Sequence, residues 1–403
     1  MSKFQDYCVQ HLFLLVGENP LPNYVSARTL LESKSTAYLI YTSHTEAQAK
    51  RLRNRLDKLE ISTQLISIDG YESDSYHIHQ EVRRAVEKLP SSDSVGLNYT
   101  GGTKAMAVHA YRAMTQTRPD AIFSYLDSHR LELCIDQKDG DRFHQKVPIC
   151  LTLEEIFDLH QLTLINPAST CPKLPEAASV LAQLHLDRVI STAWRTWCDR
   201  VKNSLKVKEE SKLKKAPELD IETLLPELRT FLQKHFAATS NALSIQHAKT
   251  VEFDKHTHLW KWLDGEWLEE YTLQQIQTLT EKCKIFDSAS NFHIKDPQIN
   301  ADKFQFDVAF TRSYQLFALS CTTDDSKGLC KQKLFEAYLR AKQLGGDEAR
   351  VALVCCSDVP DYLKAQLEIM LENPKIAVFG RQHLANLAEH IEAWIIKNDR
   401  EAQ

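Results

Sequence analysis

A chain of 403 residues is too long for one ordinary core and calls for two domains with a connector; 43% hydrophobic and 26% charged residues are an ordinary soluble composition. The formal net charge of −5 excludes a protein that coats nucleic acid indiscriminately, so any polyanion must be met by local basic clusters. The absence of an apolar run of about 18 residues excludes a membrane-spanning helix, Asp6 before the short apolar stretch Leu12 to Val16 argues against a signal peptide, and ten cysteines without a C-x-x-C pair read as reduced thiols in a cytoplasm.

Residues 1 to 150 alternate strand and helix signals. His11 to Val16 is a buried-type strand that ends in the loop Gly17-Glu18-Asn19-Pro20-Leu21-Pro22-Asn23. A helix over Tyr24 to Leu31 and a strand over Thr36 to Tyr41 follow. Next come the segment Thr42-Ser43-His44-Thr45 and an amphipathic helix over Glu46 to Leu59, with Thr45 as expected N-cap and Gln48 completing a capping box. Leu65 to Ile68 is a third strand, Ser75 to Leu89 a third helix, and Val95 to Asn98 a fourth strand. This rhythm belongs to an open parallel sheet, whose ligands lie at the carboxyl ends of the strands. Three loops leave that edge, and together they make one expected site: Gly17 to Asn23, Thr42 to Thr45, and the turn after the fourth strand.

That turn, Tyr99-Thr100-Gly101-Gly102-Thr103-Lys104, runs directly into the helical pattern Ala105 to Met114. Two glycines remove the Cβ atoms that would keep an anion from the backbone, and the N–H groups of a helix start carry partial positive charge. Thr103 and Lys104 add a hydroxyl and an ammonium. Neither G-x-x-x-x-G-K-[ST] nor G-x-G-x-x-G is present, so the residues allow two readings: a phosphate-binding turn, or a tight strand-to-helix connection with a solvated lysine.

Beyond the turn, Ala121 to Leu126 and Arg130 to Ile135 form an expected hairpin, and Thr152 with Glu155 has capping-box spacing for a short helix through His160. Residues 176 to 240 are helical in pattern and carry the basic stretch Arg195, Arg200, Lys202, Lys206, Lys208, Lys212, Lys214 and Lys215. This stretch is either a solvated connector or a surface that gathers nucleic acid. From about residue 246 a helix over Glu266 to Lys282 leads to strand signals at Lys284 to Phe286, Phe304 to Phe310, Leu316 to Cys321, Val351 to Cys355 and Ile376 to Phe379. Helices are expected over Cys330 to Leu344, Asp361 to Leu371 and His383 to Ile396.

The Gly101-Gly102-Thr103-Lys104 turn and the pattern before it resemble the CARF domain, the Rossmann-like sensor of cyclic oligoadenylates in type III CRISPR systems. Trp262 to Glu270 and Phe306 to Arg312 resemble the family in which CARF is fused to a restriction-endonuclease-like (PD-(D/E)xK) domain. The resemblance implies an α/β protein with a Rossmann-like CARF domain over 1–160, a helical connector over 161–245 and a restriction-endonuclease-like α/β domain over 246–403. It implies a cytoplasmic homodimer in antiviral defence, with no membrane partner. A cyclic oligoadenylate, tetra-adenylate or else hexa-adenylate, lies across the two-fold axis against Gly17, Asn19, Pro20, Asn23, Ser43, Thr45, Thr100, Gly101, Gly102, Thr103 and Lys104. Ligand binding then switches on a metal-dependent endonuclease cutting DNA and/or RNA.

For that chemistry the family uses a helix acid, a strand aspartate and Glu-x-Lys on the next strand, holding Mg2+ or Mn2+. Carried onto this sequence, the metal ligands are Glu270, with Glu269 or Glu266 as neighbours able to replace it, and Asp307. Glu-x-Lys is absent: Ser320-Cys321-Thr322-Thr323 stands there. Ser320 is then the expected third member, Lys333 (or Lys327 or Lys331) the migrated lysine, and Asp324 or Asp325 a spare oxygen. The departure leaves two further readings. One is a degenerate nuclease fold acting as a binding module. The other is a ring nuclease that cleaves the cyclic oligoadenylate in the sensor using Thr103, Lys104 or Ser43. A HEPN ribonuclease is the remaining nuclease class, on the Arg229 to His235 spacing.

Overall fold

The computed structural model describes residues 3–136, 142–164, 167–206, 218–244, 253, 256–296, 301–372 and 375–401. In chain order the first part comprises β1 (Val9–Leu15), α1 (Leu21–Leu30), β2 (Leu31–Tyr41), α2 (Glu46–Asp57), β3 (Ser62–Ser67), α3 (Ser75–Val86), β4 (Val95–Asn98), α4 (Lys104–Thr117), β5 (Ile122–Asp127), β6 (Glu132–Asp136), β7 (Arg142–Lys146) and α5 (Leu153–Leu159). The strands form one sheet in the order β3-β2-β1-β4-β5-β6-β7, parallel through β5 and antiparallel beyond it. β1 shows why the run reads as continuously apolar. Leu12 and Leu14 face one helical layer with Tyr24, Leu52 and Phe157, while Phe13 and Leu15 face the other with Ile78, Ala110 and Met114. Strand order reverses between β1 and β4, so the Gly17 and Gly101 loops leave the sheet side by side at its switch point.

The chain then supplies β8 (Thr163–Leu164), α6 (Pro175–Leu184), α7 (Arg188–Lys206), β9 (Glu218–Asp220), α8 (Pro226–Phe236), β10 (Ala242–Ser244), α9 (His256–Lys261), a π-helical segment over Trp262–Glu266, α10 (Trp267–Thr278), α11 (Thr280–Cys283), β11 (Asp287–Asp296), β12 (Ala301–Arg312), β13 (Gln315–Thr322), α12 (Lys327–Gly345), β14 (Arg350–Cys355), α13 (Pro360–Leu371), β15 (Ile376–Phe379) and α14 (Leu387–Glu401). The second sheet runs β15-β14-β13-β12-β11-β8, so the strand just after α5 already belongs to it. Its two faces split like those of the first. Val308, Phe310 and Leu319 pack toward α10 and α14, whereas Ala309, Ala318 and Leu353 share one continuous core with α12 and with the α1, α2 and α5 face of the first sheet.

Local differences from the sequence reading have local causes. The Thr152 and Glu155 capping box forms as expected, each side chain bonding the other's backbone N–H. Thr45 does not cap α2: its hydroxyl accepts the Thr42 amide instead, closing a 3-10 turn over Ser43–Thr45. Lys284 to Phe286 is not a strand, because Lys284 takes φ 54° at the end of α11 and the strand begins at Asp287. β7 escapes the reading; its alternation in Arg142-Phe143-His144-Gln145-Lys146 is mostly polar. Among the described residues no helix is long and apolar enough to cross a membrane.

Candidate active site and ligand edge

At the first sheet's edge the Gly101 turn is pressed onto the end of β1. A Cβ at Gly101 would collide with the Leu15 carbonyl oxygen and lie 3.0 Å from the Gly17 nitrogen. Gly102 has φ 73°, and a Cβ there would lie 3.0 Å from Met106 Cε. Close approach requires the first glycine and backbone conformation the second. Thr103 is the N-cap of α4: its hydroxyl accepts the Met106 N–H at 3.1 Å and donates to the Glu72 carbonyl at 3.3 Å. Lys104 is exposed in the first turn of that helix.

Several expected ligand residues are instead committed to the frame. Asn23 is fully buried and donates from Nδ2 to the Leu15 carbonyl at 2.9 Å, so it ties down β1 from beneath. Asn19 accepts the Leu21 N–H at the start of α1, and its amide lies against Gly346 at the end of α12. Pro20 is buried as the N-cap of α1, and the Thr100 hydroxyl accepts the Leu126 N–H at 2.7 Å, stitching β4 to β5. Ser43 is exposed and its N–H donates to Asp69 at 3.3 Å. The open surface of the edge is therefore the backbone at Gly17 to Glu18, Ser43, and Gly101 to Lys104. Sequence reasoning missed the loop after β3, where Glu72 meets Thr103 and the half-exposed Tyr71 ring stacks on His77 at 3.8 Å. An aromatic beside a glycine, Gly70-Tyr71, was the available signal.

In the second sheet, β12 and β13 pair so that Asp307 and Ser320 lie abreast, one step before Val308 and Leu319. Asp307 Oδ2 accepts the Ser320 hydroxyl at 2.8 Å and the Cys321 N–H at 2.7 Å. Lys333, from α12, brings its Nζ to 3.9 Å from the same oxygen. The candidate helix acids Glu270 and Glu269 are placed differently. Glu270 turns away, its Oε2 accepting the Lys173 and Leu174 N–H groups at 3.1 and 3.0 Å where α6 begins. Glu269 faces the strands. Burial first, and the Asp307 charge second, hold its carboxyl well above the usual carboxylate range, and its Oε2 is buried without a partner. Helix periodicity carried the signal: Thr272, three residues on, is the residue whose hydroxyl meets the Cys321 thiol at 3.6 Å.

The donor set fits one hard divalent cation. Two crowded carboxylates, one with an orphaned buried oxygen, gain from a positive charge between them, and hydroxyl or water oxygens complete such a site. Among the described residues no cluster of three or more His, Cys, Asp or Glu side chains is gathered. Asp324 and Lys327 serve elsewhere, Asp324 accepting the Ser326 N–H and Lys327 lying over the Tyr362 ring. Asp325 is 3.9 Å from Arg381 Nη2.

Three of the connector cations have partners. Arg195 bonds Asp264, Thr323 and Asp199, Arg200 bonds Thr223, and Lys202 is 3.8 Å from Asp264; the Lys208, Lys212, Lys214 and Lys215 positions lie outside the described residues. The Arg229 to His235 spacing falls on α8, where the His235 ring packs on Phe231 with Nε2 buried and unpartnered, beside a mixed sheet rather than in an all-helical domain.

The family model for the Card1 CARF domain matches residues 12–155, and that for the Card1-like endonuclease domain matches residues 256–398. Three solved structures share the fold. Protein VC1899 from Vibrio cholerae is 17% identical with a TM-score of 0.77, over 96% of this chain and 99% of its own. Can2 from Sulfobacillus thermosulfidooxidans, solved with cyclic tetra-adenylate, is 18% identical with a TM-score of 0.70, again over 96% and 99%. A type III CRISPR defence DNA nuclease activated by cyclic oligoadenylate is 17% identical with a TM-score of 0.51, over 86% of this chain and 45% of that one. Comparison with curated proteins gives no match.

Proposed function

Since the chain belongs to the Card1 CARF domain family over residues 12–155 and to the Card1-like endonuclease domain family over residues 256–398, we propose that it is a type III CRISPR ancillary effector in which cyclic oligoadenylate at the Gly101 edge switches on a metal-dependent endonuclease at Asp307. The observation that carries the reading is the convergence of Glu269 and Lys333, from two helices, on the Asp307 carboxylate of β12 in the endonuclease domain.

In the sensor, the bare backbone of Gly17, Gly101 and Gly102 and the Lys104 ammonium meet phosphates, while Ser43 and Tyr71 flank them for ribose and base. A two-fold ligand is matched by two copies of the edge, so the working unit is a homodimer; cyclic tetra-adenylate, the ligand of the Can2 structure, is the first ring size to test. Asn19, Asn23, Pro20, Thr45 and Thr100 then act by holding the loops.

In the nuclease, Mg2+ or Mn2+ would be held by Asp307 and Glu269, and when bound it supplies a polarised phosphate oxygen and a water of lowered pKa. The chain's own part is positional. Ser320 and the Cys321 amide fix the Asp307 carboxylate, and Lys333 places a cation where charge develops on the phosphoryl oxygens. DNA and RNA are both offered as substrates, since the chemistry named here acts on the phosphodiester that the two share.

The test is cleavage of labelled DNA and RNA by pure protein with and without cyclic tetra-adenylate and Mn2+. Cleavage requiring both supports the reading; no cleavage with both saturating overturns it. One observation favours a second reading, a binding scaffold: Ser320 spends its hydroxyl on Asp307 instead of offering a third carboxylate. The ring-nuclease reading has less support, because the Thr103 hydroxyl is engaged on both sides.

A further inference from the structure

Between α9 and α10 the backbone passes through a π turn, in which the Trp267 N–H reaches the Trp262 carbonyl five residues back. Such a turn inserts one residue into the helical count, and that rotates every later side chain by about 100° relative to an uninterrupted helix. The neighbouring acids Glu269 and Glu270 differ by that same rotation. Without the extra residue Leu268 would take the place of Glu269 and Glu269 that of Glu270, so the π turn decides whether a carboxylate faces Asp307 at all.

The turn does not hold its own register, because its carbonyls are bonded from outside. α7 grips two successive ones. Trp194 Nε1 donates to the Leu263 carbonyl at 3.2 Å, and Arg195 Nη1 donates to the Asp264 carbonyl at 3.1 Å. Arg195 goes further: Nη1 also reaches the Thr323 hydroxyl at 2.9 Å, and Nη2 reaches the Asp264 carboxylate at 2.6 Å and Asp199 at 3.1 Å. Thr323 in turn donates to the Asp264 carbonyl at 3.3 Å. Since Thr323 stands three residues beyond Ser320, one guanidinium joins the element that carries Glu269 to the strand end that carries Ser320 and hence Asp307. Gly265 completes the approach, its missing side chain facing Thr323.

The geometry points to Arg195 as a positioning residue of the metal site, fixing the π register that turns Glu269 rather than Leu268 toward Asp307. This rests on the metal site proposed above. The planar fork is what the role needs, since its two separate nitrogens reach four acceptors at once, a spread that the single nitrogen of a lysine does not cover.

The experiment is Mn2+ titration of the full-length, metal-free protein by electron paramagnetic resonance, for wild type, Glu269→Gln, Arg195→Met and the double variant. Arg195→Met is expected to lose at least about tenfold in Mn2+ affinity, as for residues that orient metal ligands. Its binding of cyclic tetra-adenylate should stay that of wild type. Glu269→Gln should weaken Mn2+ binding in the wild-type background and add little in the Arg195→Met background. A merely structural role would leave the two changes additive. Unchanged Mn2+ affinity in folded Arg195→Met, or additivity in the double variant, overturns the proposal. If wild type binds no Mn2+, the metal reading itself fails and this one with it. If Arg195→Met does not fold, Thr323→Val, which removes one link at nearly constant volume, decides on the same affinity readout.

Discussion

Ser320 donates its hydroxyl to Asp307 Oδ2 at 2.8 Å, across the β12 and β13 pair. The residue standing where the resemblance leads one to expect a glutamate thus supports the neighbouring aspartate. Ser320→Ala leaves the Cys321 amide as donor to that oxygen, so about 1 kcal/mol of stability should be lost, read as a shift in the denaturant midpoint. Asp307→Asn should abolish metal-dependent cleavage with cyclic tetra-adenylate affinity intact, because it removes charge and keeps shape. Cleavage that survives in Asp307→Asn would place the chemistry elsewhere.

At the ligand edge, Lys104→Ala should weaken binding of cyclic tetra-adenylate by about 1 to 3 kcal/mol, the range for a lost charge-assisted hydrogen bond. Thr103 keeps the cap, so stability should change little. Asn23→Ala should behave oppositely. It strips a buried bond to Leu15 and lowers the melting temperature, and any effect on affinity comes through the frame. Calorimetric titration beside thermal melts separates the two.

His185 makes an acid-side prediction. Fully buried against Trp267 and Trp194, with Nδ1 donating to the Leu181 carbonyl, it is pushed down to about 4 by burial. Between pH 6.5 and 4 the unfolded chain binds a proton here that the native state refuses, so stability falls as pH falls through that window, by roughly 3 kcal/mol at its end. His185→Gln should flatten this limb of a stability profile measured by urea melts. An unchanged slope would assign the acid sensitivity to other groups.

Much of the first sheet was legible because parallel strands are covered on both faces, and runs such as Leu12 to Leu15 announce that burial directly. The Gly101 turn was legible too, since two adjacent glycines before a capped helix have few other uses. What the residues hid was commitment. Asn23 and Thr100 have the chemistry of ligand contacts, yet long-range packing turns them onto Leu15 and Leu126. Helix periodicity with Thr272 could separate Glu269 from Glu270, but the register of that face was hidden, since it follows a π turn whose carbonyls are bonded by Trp194 and Arg195 of α7, some 70 residues earlier. Lys333 was one of three candidate lysines on one stretch, and only the path of α12 reveals that its Nζ lies 3.9 Å from Asp307 Oδ2.

Glu269 gives the prediction that bears most directly on the metal. Its carboxyl is raised by burial and then by Asp307, so the native state holds a proton through a pH range in which the unfolded chain has released it. The sign follows: native protein binds more protons there, so the stability of the metal-free protein should decline as pH rises above the ordinary carboxylate range, until Glu269 itself ionises. Glu269→Gln removes the titration and should raise the melting temperature of the metal-free protein at neutral pH. A bound cation needs the ionised form, so Mn2+ binding must expel that proton and strengthen with rising pH in wild type. Isothermal titration in two buffers of different ionisation enthalpy measures the proton released. Near one proton per Mn2+ at the pH where Glu269 is still protonated is the expected result, and none in Glu269→Gln, whose affinity should also fall more than about tenfold. Equal proton release by wild type and Glu269→Gln would move the metal away from α10.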